Sequence, residues 1–238
     1  SSWSGNNIMA EGYGTYLWAY AKVKIDSIDT ENKKITSAPF KALAGIYKGA
    51  QLSFSNIIEE LDMPGEWYID NSGNGHKLYY YPESDNYPEL TTRTEALFEI
   101  DGAENVRFEN IDFKGTRGNG IIVKNSKNVV FDKCSVSQIG RVGLTFSNTE
   151  SCGIMNSSVH DCGAGGIDID GGVKESLSDA NNFVENCIIC RFSQVITVYS
   201  PGIKLFGVGN YAKNNTIFDS WHTAVLLSGN NNKLIRDF

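Results

Sequence analysis

Two interleaved series of short apolar segments recur through the second half of the chain at nearly constant spacing. The first comprises residues 120–123, 143–146, 166–169, 195–198 and 224–227. Its equivalent positions Ile121, Leu144, Ile167, Ile196 and Val225 are separated by 23, 23, 29 and 29 residues. The second series begins at Asn110, Lys133, Asn156, Asn186 and Asn215, with steps of 23, 23, 30 and 29. Both lengthen at the same place, so a shared repeat underlies them.

A period in the low twenties with two or three short strands per repeat means a solenoid. Leucine-rich repeats share the period, but they need a Leu-x-x-Leu-x-Leu ladder, and leucines are too few here. The expected fold is therefore all-β: a right-handed parallel β-helix whose coils stack about 4.8 Å apart through inter-coil hydrogen bonds. Asn tolerates the left-handed backbone of a sharp turn. Asn110, Asn156, Asn186 and Asn215 are thus expected to stack as an amide ladder interrupted by Lys133. Period-2 alternation points Ile121, Leu144, Ile167, Ile196 and Val225 inward, with Val123, Phe146, Ile169, Val198 and Leu227. Outward positions are Ile122, Thr145, Asp168, Thr197 and Leu226, then Lys124, Ser147, Asp170, Tyr199 and Ser228. The longer coils carry expected loop insertions at 171–179 and 200–210.

Residues 1–96 read as an N-terminal β-rich capping module, and residues 97–238 as the coils. Within the module, the aromatic segments 65–70 and 77–82 flank a Gly/Asn turn at 71–75, the pattern of an antiparallel hairpin. The segment 233–238 is expected to begin another strand of the second series and stop in mid-coil. That leaves an open edge for missing C-terminal coils, a partner or a self-association contact. The net charge of −7 argues against a nucleic-acid partner, which needs a basic surface. No apolar run approaches the roughly 18 residues of a membrane-spanning helix. Five cysteines without regular spacing make a poor disulfide framework. Cys134 and Cys187 fall two coils apart, too far to bridge, and Cys187 and Cys190 are expected to pack in the core.

Candidate chemistry gathers on the outward strip. Asp168 and Asp170, at i and i+2 on one strand, share a face with Cα atoms about 6.5–7 Å apart. They are either a catalytic carboxylate pair or two acids flanking a turn and facing water. Asp219 and His222, spaced i and i+3, are either a carboxylate orienting an imidazole or a turn cap beside a surface His. Tyr199 and Trp221 are candidates to pack against sugar rings, the alternative being packing beneath the inserted loops, and Thr197 lies on the same strip. No cofactor is expected. Calcium on Asp168 and Asp170 is the one metal the carboxylates suggest.

Several segments resemble one large group of bacterial right-handed β-helix proteins that includes fucosidase-, xylanase- and xylosidase-type glycoside hydrolases. They are 61–70 with 78–82, 165–172, 182–187, 199–203 with 207–210, and 215–224 with Gly229 and Asn230. The sequence departs from that group's pattern at Phe218, Trp221, Val173 and Thr197. The resemblance implies a hydrolase that cleaves polysaccharide glycosidic bonds with paired carboxylates. It also implies catalytic acids beyond Phe238, so that these residues alone would be silent. A bacterial protein of this kind is expected outside the cell or in the periplasm. A polysaccharide lyase on the same fold and a non-catalytic glycan-binding or adhesin solenoid are the alternatives.

Overall fold

The computed structural model describes residues 3, 7–16, 18, 20–37, 45–85 and 95–238. The chain divides into two compact units, Ser1–Glu89 and Leu90–Phe238.

In the first unit, strands β1 (Met9–Tyr13), β2 (Tyr20–Asp29), β3 (Lys34–Ser37) and β4 (Leu52–Ser55) form an antiparallel sheet in the order β3-β2-β1-β4. Alternation along β2 buries Val23 and Ile25, which pack with Ile8, Ala10 and Ile57. Strands β5 (Trp67–Asp70) and β6 (Lys77–Tyr80) pair antiparallel, Trp67 opposite Tyr80 and Asp70 opposite Lys77. The Gly/Asn turn sits between them, as the sequence pattern predicts.

The second unit is a parallel β-helix of three sheets. The first holds β7 (Phe98–Asp101), β10 (Ile121–Lys124), β13 (Leu144–Ser147), β16 (Ile167–Gly171), β19 (Ile203–Gly207) and β22 (Val225–Leu227). The second holds β8 (Glu104–Glu109), β11 (Lys127–Asp132), β14 (Gly153–Met155), β17 (Phe183–Glu185), β20 (Tyr211–Lys213) and β23 (Lys233–Ile235). The third holds β9 (Asp112–Thr116), β12 (Ser135–Ile139), β15 (Ser158–Cys162), β18 (Ile188–Cys190) and β21 (Thr216–Phe218). A single 3-10 turn, Ile58–Glu60, is all the helix among the described residues.

The inward rows fill one continuous core. Ile121, Leu144, Ile167, Ile203 and Leu205 are fully buried. Phe108 stacks on Phe131 with centroids 4.9 Å apart, and Phe131 meets Phe146 edge-on at 6.3 Å. Each such side chain contributes roughly 1.5–3 kcal/mol by leaving water. All five cysteines are buried free thiols. Burial raises the Cys162 and Cys187 thiols to about 12, so they are inert apolar filler.

Three register expectations are corrected. After Ile167 the next equivalent residue is Ile203, not Ile196. A glycine column decides this. A Cβ on Gly143 would lie 2.6 Å from the Gly166 carbonyl oxygen, and one on Gly166 would lie 2.5 Å from that of Gly202. The residue that opens each of these strands, before Leu144, Ile167 and the next equivalent residue, must therefore lack a side chain, and Gly202 satisfies this where Val195 does not. Residues 195–198 thus lie outside the strands, with Val195 68% and Ile196 40% exposed. Ile196 and Val198 are not inward core residues, and Thr197 and Tyr199 do not sit on the outward strand row. The segment 200–210, expected as an insertion, instead contains β19.

The amide ladder also shifts at its far end. Asn110, Lys133, Asn156, Asn186, Asn214 and Arg236 share left-handed φ values of 50–57°. Asn186 donates to Asn156 Oδ1 and Asn214 to Asn186 Oδ1, each at 3.2 Å. Asn214, not Asn215, is the rung. Asn215 turns inward, fully buried, and accepts the Cys187 N–H at 2.9 Å. Finally, β23 pairs with β20 in the second sheet, so 233–235 is not a strand of the series that starts at Asn110; that series resumes only at the turn residue Arg236.

Candidate functional site

The outward face of the first sheet carries the Asp168 and Asp170 side chains. On this face β16 sets Asp168 between Thr145 and Lys204, and Asp170 between Ser147 and Phe206. Lys204 Nζ lies 3.8 Å from Asp168 Oδ2 and 4.5 Å from the centre of the Phe206 ring. The Asp168 side chain is only 26% exposed. Burial pushes its carboxyl above the usual carboxylate range, while Lys204 pulls the other way and loses. A 3.8 Å contact is too long to offset the lost hydration. Asp170, two residues on, is exposed. Burial therefore raises one carboxyl of the pair, and its neighbour stands in water.

Thr197 and Tyr199 lie in the connection between β18 and β19, and Trp221 and His222 in the connection between β21 and β22. The two connections meet: the Tyr199 and His222 rings are 5.9 Å apart, inclined at 58°. His222 Nε2 lies 3.4 Å from Thr223 Oγ1. Thr197 Oγ1 and His222 Nδ1 are buried with no hydrogen-bond partner among the described residues. Such atoms are donors and acceptors awaiting a partner. Asp219 lies elsewhere. Its carbonyl accepts the Arg191 N–H at 2.9 Å, and it shares an open pocket of about 430 Å³ with Arg191, Phe192, Gln194, Ser220 and Trp221. The structure thus joins Tyr199 to His222, but sets Asp219 beside Arg191 and Trp221.

Lys204 and Phe206 are not among the sequence-predicted residues, because alternation places the strand seven residues before its observed position. The Gly202–Ile203 step, matching Gly166–Ile167 and Gly143–Leu144, was the available signal. Nor do the sequence-predicted residues include a cluster at the end of the third sheet. Asp161 accepts from Arg191 Nε at 2.6 Å and Nη2 at 3.1 Å, and pairs with His160 Nδ1 at 2.7 Å. Arg191 above all, helped by His160, holds the Asp161 carboxyl below its usual range. The bidentate ion pair ties one coil to the next.

A calcium ion at Asp168 and Asp170 does not fit this geometry, because the Lys204 ammonium already stands against Asp168. Among the described residues no group of three or more His, Cys, Asp or Glu is arranged to hold a metal.

The chain belongs to the right-handed β-helix family, whose model matches residues 68–200. No curated protein matches the sequence. Among solved structures, a glycoside hydrolase aligns over 98% of this chain and 68% of its own, at 12% identity and a TM-score of 0.56. An alginate lyase from Paenibacillus sp. str. FPU-7 aligns over 62% of this chain and 54% of its own, at 15% identity and a TM-score of 0.51. The A-module of the Azotobacter vinelandii mannuronan C-5 epimerase AlgE4 aligns over 60% of this chain at 13% identity and a TM-score of 0.45. The chain spans about half the length of the lyase and epimerase structures. At these identities the likeness establishes the fold.

Proposed function

We propose that the outward face of the first sheet binds a polysaccharide and that the protein is a glycoside hydrolase, with Asp168 as general acid and Asp170 as base or nucleophile. The observation that carries this reading is the unequal environment of the two carboxyls. Asp168 is largely buried and its carboxyl is raised, the direction that suits a proton donor to a leaving oxygen. Asp170 is exposed on the same face and one step along the strand. Glycosidases need the two carboxyls about 5–9.5 Å apart, which neighbouring outward positions on one strand can supply. Exposed Tyr199 and the His222 ring beside it offer faces for holding the sugar chain. A polymeric substrate argues for an extracellular or periplasmic place of work.

One observation favours a second reading, a polysaccharide lyase: Lys204 stands beside Asp168, and an ammonium there can neutralise a uronate carboxylate or, once deprotonated, remove its α-proton. Product chemistry separates the readings. Hydrolysis releases reducing ends without ultraviolet-absorbing unsaturated uronate, and Asp168→Asn slows it by about 10²–10⁴-fold. Unsaturated product that disappears in Lys204→Met would replace the hydrolase with the lyase. Glycan binding with no product would leave a binding solenoid.

A further inference from the structure

The first unit carries a concavity of about 710 Å³ that the proposed chemistry does not use. Its size falls within the range of small-ligand sites. Hairpin alternation builds one wall: Tyr68 turns to the opposite face and is buried, leaving Trp67 and Ile69 on the cavity side. The Trp67 indole is 58% exposed, a large apolar surface left wet in a small unit. Met9, on the same face of the sheet as Glu11 and Lys22, adds apolar lining.

The rim is polar and held in place. Asn56 accepts the Ile69 N–H at 2.9 Å and donates to the Asn7 and Ile69 carbonyls at 3.1 and 3.2 Å, fastening the hairpin beside the sheet. Glu66 Oε2 accepts the backbone N–H groups of Asp62 and Met63, each at 2.9 Å. Glu60 Oε1 accepts the Trp3 indole N–H at 2.7 Å. Glu11 and Lys22, opposite each other on β1 and β2, pair at 3.2 Å with the lysine side chain still 45% exposed. A preformed pocket with a flat indole wall and fixed donors and acceptors around it matches a pyranose, whose C–H face is apolar and whose edge bears hydroxyls. Glu11, Glu60 and Glu66 face a lone Lys22, so the rim is net acidic and repels a uronate carboxylate.

We infer that this cavity is a saccharide-binding site, separate from the coil groove and selective for neutral sugars, with Trp67 as its stacking platform and the Glu11–Lys22 pair as its polar grip. It stands whether or not Asp168 and Asp170 cleave anything. The test is calorimetric titration of the whole protein with cellohexaose, xylohexaose, mannohexaose and hexagalacturonate. At least one neutral hexasaccharide should bind, and Trp67→Ala should raise its Kd tenfold or more. Lys22→Met should raise it severalfold, with the thermal unfolding profile retained, and this second variant keeps the test valid if Trp67→Ala does not fold. Asp170→Asn should leave this affinity unchanged whatever it does to turnover, which separates this site from the groove. Binding of none of the three neutral sugars, neutral-sugar affinity unmoved by both cavity variants, or tighter Trp67-dependent binding of hexagalacturonate would each overturn the inference.

Discussion

Ile203→Ala and Ile196→Ala should differ sharply in stability, because the register puts only the first in the core. Ile203 is fully buried, and its neighbours in the sheet are Ile167 and Val225. Truncation removes three carbons, about 2.4 kcal/mol of transfer free energy at ~0.8 per carbon. The cavity left behind, about 80 Å³ if nothing relaxes, adds roughly 2 kcal/mol at ~24 cal/mol per Å³. The sum, about 4 kcal/mol, lowers the melting temperature by roughly 8–16 °C at the ~2–4 °C per kcal/mol of a domain this size. Ile196 is already 40% exposed in the connection before β19. It loses about 60% of the transfer term and leaves no closed cavity, so about 1 to 1.5 kcal/mol. Thermal and urea unfolding of the two variants beside the wild type reads the difference. An Ile196→Ala variant destabilised as much as Ile203→Ala would refute the register and remove Lys204 and Phe206 from the groove.

Further consequences follow from the same contacts. Gly166→Ala places a Cβ 2.5 Å from the Gly202 carbonyl oxygen; overpacking of this kind costs about 1–3 kcal/mol, measurable as a lower urea midpoint with an unchanged slope. Asn186→Ala at φ 54° should cost about 1–2 kcal/mol, and Asn186→Gly should recover most of that in the same assay. The raised carboxyl of Asp168 means the folded state holds this proton more tightly than the unfolded state. Its contribution to stability is therefore largest below the unfolded pKa and falls as pH rises through the window up to the folded one. Asp168→Asn should remove that fall from a stability–pH profile. Asp161 runs the opposite way. Its lowered carboxyl stabilises the fold above the unfolded pKa and loses that contribution as pH falls toward the folded one, so Arg191→Met should flatten the acid limb.

The coils were legible because a β-helix repeats its constraints. Inward Ile and Leu, the left-handed Asn turn and the period itself each recur, and three agreeing signals set the early register without any structure. The register was misplaced where two alternating apolar segments, 195–198 and 203–206, stood within one long coil. Alternation alone cannot choose between them; the close approach of Gly166 to Gly202 does. Asn214 and Asn215 pose the same problem, since one Asn stacks outward and the next turns in to cap Cys187, and only the backbone separates them. The carboxyl pair was readable from i, i+2 spacing. Lys204 and the Tyr199–His222 contact were not, because each joins residues more than twenty positions apart. The raised carboxyl of Asp168 arises from burial, which the spacing does not reveal.

The most direct measurement of the central claim is the initial rate of reducing-end release by the whole protein on a cleaved polysaccharide, compared with Asp168→Asn and Asp170→Asn. Positioned general acids and bases contribute about 10²–10⁴-fold. The account predicts a loss of that order in both variants, with the thermal unfolding profile retained. Wild-type rates in both would contradict it and place the chemistry away from this face.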